Sequence, residues 1–379
     1  MIPMNRNVVR LKRSGIRAFT ELARTVPDCV MLTIGEPEFD TPQPIREAAW
    51  AALEAGQTHY APNQGLLALR QAIACAEGRE PGEILVTVGA TGALYTALLG
   101  ILNPGEEVIV PTPAFPLYES IITIAGAVMV PLDTSRDGFQ IREASLKRLV
   151  TEKTKAIILN SPNNPTGVVY DAEAIAAVKE AALGRPIYVV CDQVYEALGG
   201  ENAPRLTQDA GLSRQVLLCQ SFSKPYAMTG WRVGYLAGDS EVISRLMLLN
   251  AAQIAGVPTF LQTACITALQ TDHRPMAEEY RARRAFLARR LEEMELDFPK
   301  PEGAFYAFAD ISRFGLTSEE FCRRMILEAG VAAVPGSCFG TEGYIRISCC
   351  CSQRELAEGL DRMEAFLRTL YSVDKGPHG

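Results

Sequence analysis

Four short segments, each at the end of an apolar run, carry residue types able to do chemistry together. Gly89-Ala90-Thr91-Gly92 follows ILVTV (84–88), and Asn164 lies in SPNNPTG after KAIILN (155–160). IYVVC ends in Asp192, with Tyr195 three residues on, and Ser221-Phe222-Ser223-Lys224 follows QVLLCQ (215–220). The loop PTPAFPLY adds Phe115. A glycine-containing turn that opens a helix directly after a strand presents free N–H groups and a helix dipole to an anion. A plain helix cap reads the same residues equally well. A dianionic phosphate needs further donors, and Ser221 offers a hydroxyl and Arg232 a two-pronged cation. A carboxylate at a buried strand end, such as Asp192, stays charged only beside a partner, and a protonated ring nitrogen would serve. Helix capping is the alternative role. A lysine partly desolvated near other cations has a lowered pKa and attacks carbonyls, which suits Lys224. A phosphate-contacting or surface lysine is the other reading. The Walker pattern GxxxxGK[ST] and the dinucleotide fingerprint GxGxxG are both absent.

The elements that position these residues follow from the pattern. Seven β-rich apolar runs (84–88, 107–111, 127–132, 155–160, 187–192, 215–220 and 233–238) alternate with helical stretches such as TGALYTALLGIL and DAEAIAAVKEAAL. Continuous apolar strands alternating with helices imply an α/β fold: a mostly parallel seven-stranded sheet sandwiched by helices. In such sheets ligands bind beyond the carboxyl ends of the strands. We place this large domain at residues 40–275. A smaller α+β domain is expected at 276–379, joined by the N-terminal segment 1–39 packing with it. EEYRARRAFLARRLEEM reads as a long helix whose arginines form a solvated face, since acidic residues flank them. Cys349, Cys350 and Cys351 read as part of a small-residue core strand.

Composition bounds the function class. With 379 residues, the chain suggests about two or three domains at roughly 150 residues each. A net charge of -7 makes an electrostatic nucleic-acid binder a poor fit. No apolar run reaches the ~18 residues of a membrane span, and the basic N-terminus lacks the apolar stretch of a signal peptide. The 10 cysteines have neither disulfide-framework nor metal-site spacing, so we expect reduced thiols in the cytoplasm.

SFSKPYAMTGWRVGY (221–235) closely resembles the lysine signature of the class I/II pyridoxal-phosphate-dependent aminotransferases, fold type I, of the aspartate aminotransferase superfamily. The resemblance covers nearly the whole chain, because eight further pieces follow the family's order. They are LTIGEPEFDTP (32–42), HYAPNQGLLALR (59–70), VTVGATGAL (86–94), PTPAFPLY (111–118), NSPNNPTGVVY (160–170), CDQVY (191–195), PEGAFYAF (301–308) and GYIRIS (343–348). Nine pieces in order leave coincidence negligible.

The resemblance implies a role for each matching residue. Lys224 would hold the aldehyde of pyridoxal 5'-phosphate as a Schiff base, and Asp192 would pair with the pyridine nitrogen. Asn164 and Tyr195 would hydrogen-bond the ring oxygen, and Phe115 would stack on the ring. Ala90, Thr91, Ser221 and Arg232 would bind the phosphate, with Tyr60 reaching it from a partner subunit in a homodimer. Arg346 would clamp the substrate α-carboxylate, assisted by the Gly35 backbone and Asn164. The implied activity is amino transfer from an L-amino acid to a 2-oxo acid by ping-pong kinetics, with no metal. Gln193 departs from the family, which often has Glu there, and Ala90-Thr91 replaces more glycine-rich or charged phosphate loops. Neither change removes a required group.

Rival readings share part of this signature. A fold-type-I carbon–sulfur β-lyase, decarboxylase or cyclopropane-forming synthase would keep the same lysine and aspartate. Arg346 and GWRVGY favour transamination. A non-catalytic aminotransferase-like regulator would need an added DNA-binding domain, and the match begins near Ile16. A nicotinamide-dependent oxidoreductase fails for want of GxGxxG. No motif places a second cation for a dicarboxylate side chain. Ile16 and Tyr60 are candidates for the side-chain pocket, leaning toward neutral, aliphatic or aromatic substrates, and Ile16 reads equally well as a helix-packing residue.

Overall fold

The computed structural model describes residues 2–199, 204–207 and 209–374. Its centre is a seven-stranded sheet. Across the sheet the strands run Ile84–Thr87, Gly234–Ala237, Val216–Ser221, Tyr188–Asp192, Thr154–Asn160, Glu107–Thr112 and Val128–Asp133. Gly234–Ala237 is antiparallel to both its neighbours, and the other pairings are parallel. This is the mostly parallel sheet expected from the apolar runs.

The inner runs are apolar on both faces because both faces are covered, whereas the edge strand Val128–Asp133 is mostly exposed or half-buried. Ile109, Ile157, Leu159 and Val189 join one core with residues of the helices Gln43–Glu54, Leu67–Glu77 and Ala172–Ala182. Their immediate neighbours Val108, Val110, Ile158 and Val190 join the opposite core with the helices Gly89–Ile101, Leu117–Ile124 and Ser240–Ile254. The period-2 alternation thus splits each strand between two layers. Each fully buried aliphatic side chain contributes about 1.5–3 kcal/mol.

Beyond the sheet, Val334–Pro335, Tyr344–Ser348 and Tyr306–Asp310 form a three-stranded antiparallel sheet with Tyr344–Ser348 in the middle. Helices Arg274–Glu293, Ser318–Ala329 and Gln353–Asp374 accompany it. The N-terminal segment is tied here by Val30–Met31 pairing in parallel with Val331–Ala332, and Ala23 packs with Ile326 and Ala332.

Two expectations need correction. The arginine-rich helix is not a uniformly solvated face. Arg281 and Arg289 are exposed, but Arg283 and Arg284 are buried. Arg283 pairs with Glu38 and Glu279 and lies over the Phe39 ring, and Arg284 donates to the Ala304 carbonyl at 2.7 Å. A buried guanidinium is tolerated because these groups satisfy it. The cysteine triplet is also not in a strand. The strand stops at Ser348, and Cys349 and Cys350 are buried just beyond it while Cys351 is partly exposed.

Candidate active site

Asn160, Asp192 and Ser221 are the last residues of three adjacent parallel strands. Asn160 and Asp192 are register partners, and Asn160 Nδ2 donates to the Asp192 carbonyl at 3.0 Å. All three line a cavity of about 380 Å³. Of the residues singled out from the sequence, Ile16, Gly35, Ala90, Thr91, Phe115 and Asn164 line it, as do Asp192, Tyr195, Ser221, Lys224, Arg232 and Arg346. Tyr60 does not line it and is 94% exposed.

Ala90 and Thr91 sit in the first turn of helix Gly89–Ile101, whose N-cap Val88 makes no side-chain cap bond. Its leading N–H groups therefore face the cavity end without a capping oxygen. Gly89 has φ +65°, and a Cβ there would lie 2.7 Å from Arg232 Nη2. The missing side chain lets the guanidinium approach the helix start. Arg232 Nη1 donates to the Thr229 carbonyl at 2.9 Å, and among the described residues it makes no ion pair. Ser221 Oγ donates to Ser223 Oγ at 2.8 Å. Helix N-terminus, two hydroxyls and a guanidinium without a carboxylate partner form an anion seat.

Lys224 Nζ donates to the Gly35 carbonyl at 2.5 Å. Burial, reinforced by Arg232 and Arg346, lowers its pKa to about 8, although Cys350 and Glu36 oppose the shift. A neutral amine is thus accessible near neutral pH. Asp192 shows the opposite shift. Burial raises its carboxyl to about 6, opposed by the Tyr118 hydroxyl, the Val194 N–H and Lys224. A cation brought beside it would restore the carboxylate.

Arg346 lies at the centre of the three-stranded sheet, opposite Val334 and Phe308. It is 2% exposed and its guanidinium lies 4.3 Å from the Tyr306 ring centroid and 4.9 Å from that of Phe339. Nη1 donates to Asn164 Oδ1 and Nη2 to the Thr33 carbonyl, each at 2.8 Å, while Nε is buried without a partner. A buried guanidinium held only by neutral oxygens, with one donor orphaned, calls for an external anion.

Among the lining residues not singled out from the sequence, three make hydrogen bonds to the site groups through their hydroxyls. Tyr118 Oη donates to Asp192 Oδ2 at 2.6 Å. Tyr306 Oη shares a 3.1 Å hydrogen bond with Tyr195 Oη. Ser223 bonds Ser221. All three lie inside the quoted segments PTPAFPLY, PEGAFYAF and SFSKPY, so position was readable while role was not.

The donor set fits pyridoxal phosphate: an anion seat, a depressed lysine and a buried carboxylate stand in one cavity, for phosphate, aldehyde and ring nitrogen. Comparison with known proteins agrees. The chain is 41% identical to an aspartate aminotransferase of Pyrococcus abyssi, over 94% of this chain and 96% of that protein. It is 36% identical to a probable N-acetyl-LL-diaminopimelate aminotransferase of Bacillus subtilis, over 96% and 95% of the two chains. A solved structure of aspartate aminotransferase from Thermus thermophilus with maleate superposes with a TM-score of 0.91 at 36% identity, covering 96% of this chain and 100% of that one. The family model for aminotransferase class I and II matches residues 27–363. The chain therefore belongs to the class I and II aminotransferases, pyridoxal-phosphate-dependent transaminases acting on amino and 2-oxo acids.

Proposed function

We propose that this transaminase uses Lys224 as the amine that carries the cofactor and then moves the substrate proton. The observation carrying this reading is that Lys224, with its lowered pKa, shares one cavity with the buried, partly orphaned Arg346. When bound, pyridoxal phosphate supplies an aldehyde that condenses with amines and a ring that accepts the electron pair freed at the substrate Cα. Lys224 Nζ would hold the aldehyde, and its free amine would serve as the base that carries the substrate Cα proton. Asp192 would pair as a carboxylate with the ring nitrogen. Asn164, whose Oδ1 serves Arg346, has its amide donor free for the ring oxygen, beside the Tyr195 hydroxyl. Phe115 would pack on the ring, and Ala90, Thr91, Ser221 and Arg232 would hold the phosphate. Arg346 holds the α-carboxylate, helped by the Gly35 backbone and Asn164, so amino and oxo acids occupy one site in turn and kinetics are ping-pong.

The organisation proposed with it has a cofactor domain at 40–275, a small domain at 276–379 and the segment 1–39 packing with the latter. Tyr60 completes the phosphate seat of a second copy in a homodimer; its 94% exposure and that of Trp50, 65%, support this. A cytoplasmic location agrees with ten unbridged cysteines. No helix among the described residues is long and apolar enough to cross a membrane.

The test is Lys224→Ala. We expect retained cofactor binding, loss of the visible band of the lysine-bound cofactor, and a rate loss beyond the about 10²–10⁴-fold of an absent general base. Normal turnover, or borohydride fixing the cofactor to another side chain, would refute the reading.

A further inference from the structure

A second cavity, of about 690 Å³, adjoins the first, with Ile16 and Phe115 lining both. Its outer wall is the basic stretch Arg10-Leu11-Lys12-Arg13-Ser14-Gly15-Ile16-Arg17. Four cations therefore face one cavity. Lys12 is paired with Glu119 at 3.2 Å. Glu319, the other carboxylate of the lining, accepts a hydrogen bond from Ser337. Among the described residues Arg10, Arg13 and Arg17 form no ion pair within the 4 Å limit of a salt bridge. Gly15 allows the stretch to lie close against the protein, since a Cβ there would meet Cys338 Sγ.

The inner cavity has the complementary deficit. Its cations are Lys224, Arg232 and Arg346, and each already has a task in the proposed reaction. Position 91, at the helix start, is a threonine. The lining shared with the outer cavity is Ile16 and Phe115, both apolar. A side chain running from the inner cavity past this shared lining therefore meets apolar groups first and the arginine-walled outer cavity beyond them.

Resting on the transaminase reading, we propose that the preferred amino substrate has a long side chain, apolar in its middle and anionic at its end. The apolar portion passes Ile16 and Phe115, and the terminal anion is received by Arg10, Arg13 and Arg17. These arginines are solvent-exposed, so their contribution is a summed field rather than a single tight pair, and it weakens with salt.

The experiment compares 2-aminopimelate with 2-aminoheptanoate, which has the same chain length and a methyl end, and with aspartate, in the half-reaction followed by absorbance. Equilibrium binding of each is measured alongside. At low ionic strength we expect kcat/KM for 2-aminopimelate to exceed that for 2-aminoheptanoate by about tenfold, and to exceed that for aspartate. The double variant Arg13→Glu, Arg17→Glu should cut the pimelate-to-heptanoate ratio by about fivefold or more, as should added salt. Equal kcat/KM for the two long substrates, or a variant that lowers both alike, overturns the inference and leaves transamination standing. Tighter binding of 2-aminopimelate with no amino transfer from any substrate would support the cavity assignment and overturn the transaminase reading instead.

Discussion

Tyr118 Oη donates a 2.6 Å hydrogen bond to Asp192 Oδ2, and both groups are buried. The residues lie 74 positions apart. Tyr118 comes from the helix Leu117–Ile124 and Asp192 from a strand end. Burial pushes the Asp192 carboxyl up, and the phenol pulls it back by donating to the charged form. The same bond occupies one carboxylate oxygen, and Oδ1, which accepts from the Val194 N–H at 3.4 Å, is left for a cationic ring.

Tyr118→Phe should therefore raise the Asp192 pKa further and weaken its hold on the cofactor. A hydrogen bond to a charged group contributes about 1.5–3 kcal/mol, so cofactor affinity should fall roughly tenfold to a hundredfold. The acid limb of the kcat profile should move to higher pH. Cofactor titration of the apoprotein and the pH profile check both. An unchanged affinity together with an unmoved acid limb would mean that the phenol only fills space.

Gly35 bears on two site groups at once. Its carbonyl accepts from Lys224, and a Cβ there would lie 2.1 Å from Tyr306 Oη and 3.2 Å from its Cζ. Gly35→Ala must move either the loop or Tyr306. A misplacement of about 1 Å costs on the order of 10²-fold in rate. Tyr306→Phe removes the nearer atom, so the double variant should recover part of the loss despite lacking the Tyr195 contact. Steady-state kinetics of the four proteins give the coupling. Purely additive effects would contradict the steric account.

Arg346→Lys tests the fork. The guanidinium reaches Asn164 and Thr33 and still has Nε to spare, whereas an ammonium has no planar two-pronged face. KM should rise about tenfold to a hundredfold for amino and oxo acids alike, from the loss of one charge-assisted contact. A change confined to one substrate type would argue against a shared α-carboxylate seat.

What could be read before the structure follows from periodicity. Strands buried on both faces are apolar without interruption, so their ends, and with them Asp192, Ser221 and Lys224, stand out in one dimension. Tyr118 and Tyr306 do not, because an aromatic in an apolar segment reads as core whether or not its hydroxyl faces a cavity. Arg283 and Arg284 are hidden for a different reason. Tyr280, Leu287 and Leu291 do mark the buried side of their helix, but the two arginines stand on that same side, where charge in a sequence ordinarily signals solvent. The cations at 10–17 were visible as a basic N-terminus, but only folding brings them beside Phe115, about a hundred residues away.

The two shifted groups make opposite marks on the stability of the apoprotein. Asp192 is raised from 3.8 to about 6 in the folded chain. Between those values the folded state holds a proton that the unfolded state has released, so stability falls as pH rises through this window. Lys224 is lowered from 10.5 to about 8. Between about 8 and 10.5 the unfolded chain binds the extra proton, so this group adds stability as pH rises. Asp192→Asn should consequently flatten the decline between pH 4 and 6, and Lys224→Met should flatten the rise above pH 8. Denaturant midpoints of the cofactor-free proteins, measured across both windows, check the prediction. Cofactor binding should reverse the Asp192 effect, because a ring cation stabilises its carboxylate. An Asp192→Asn variant that keeps the parental slope between pH 4 and 6 would show that the carboxyl titrates as an ordinary exposed acid.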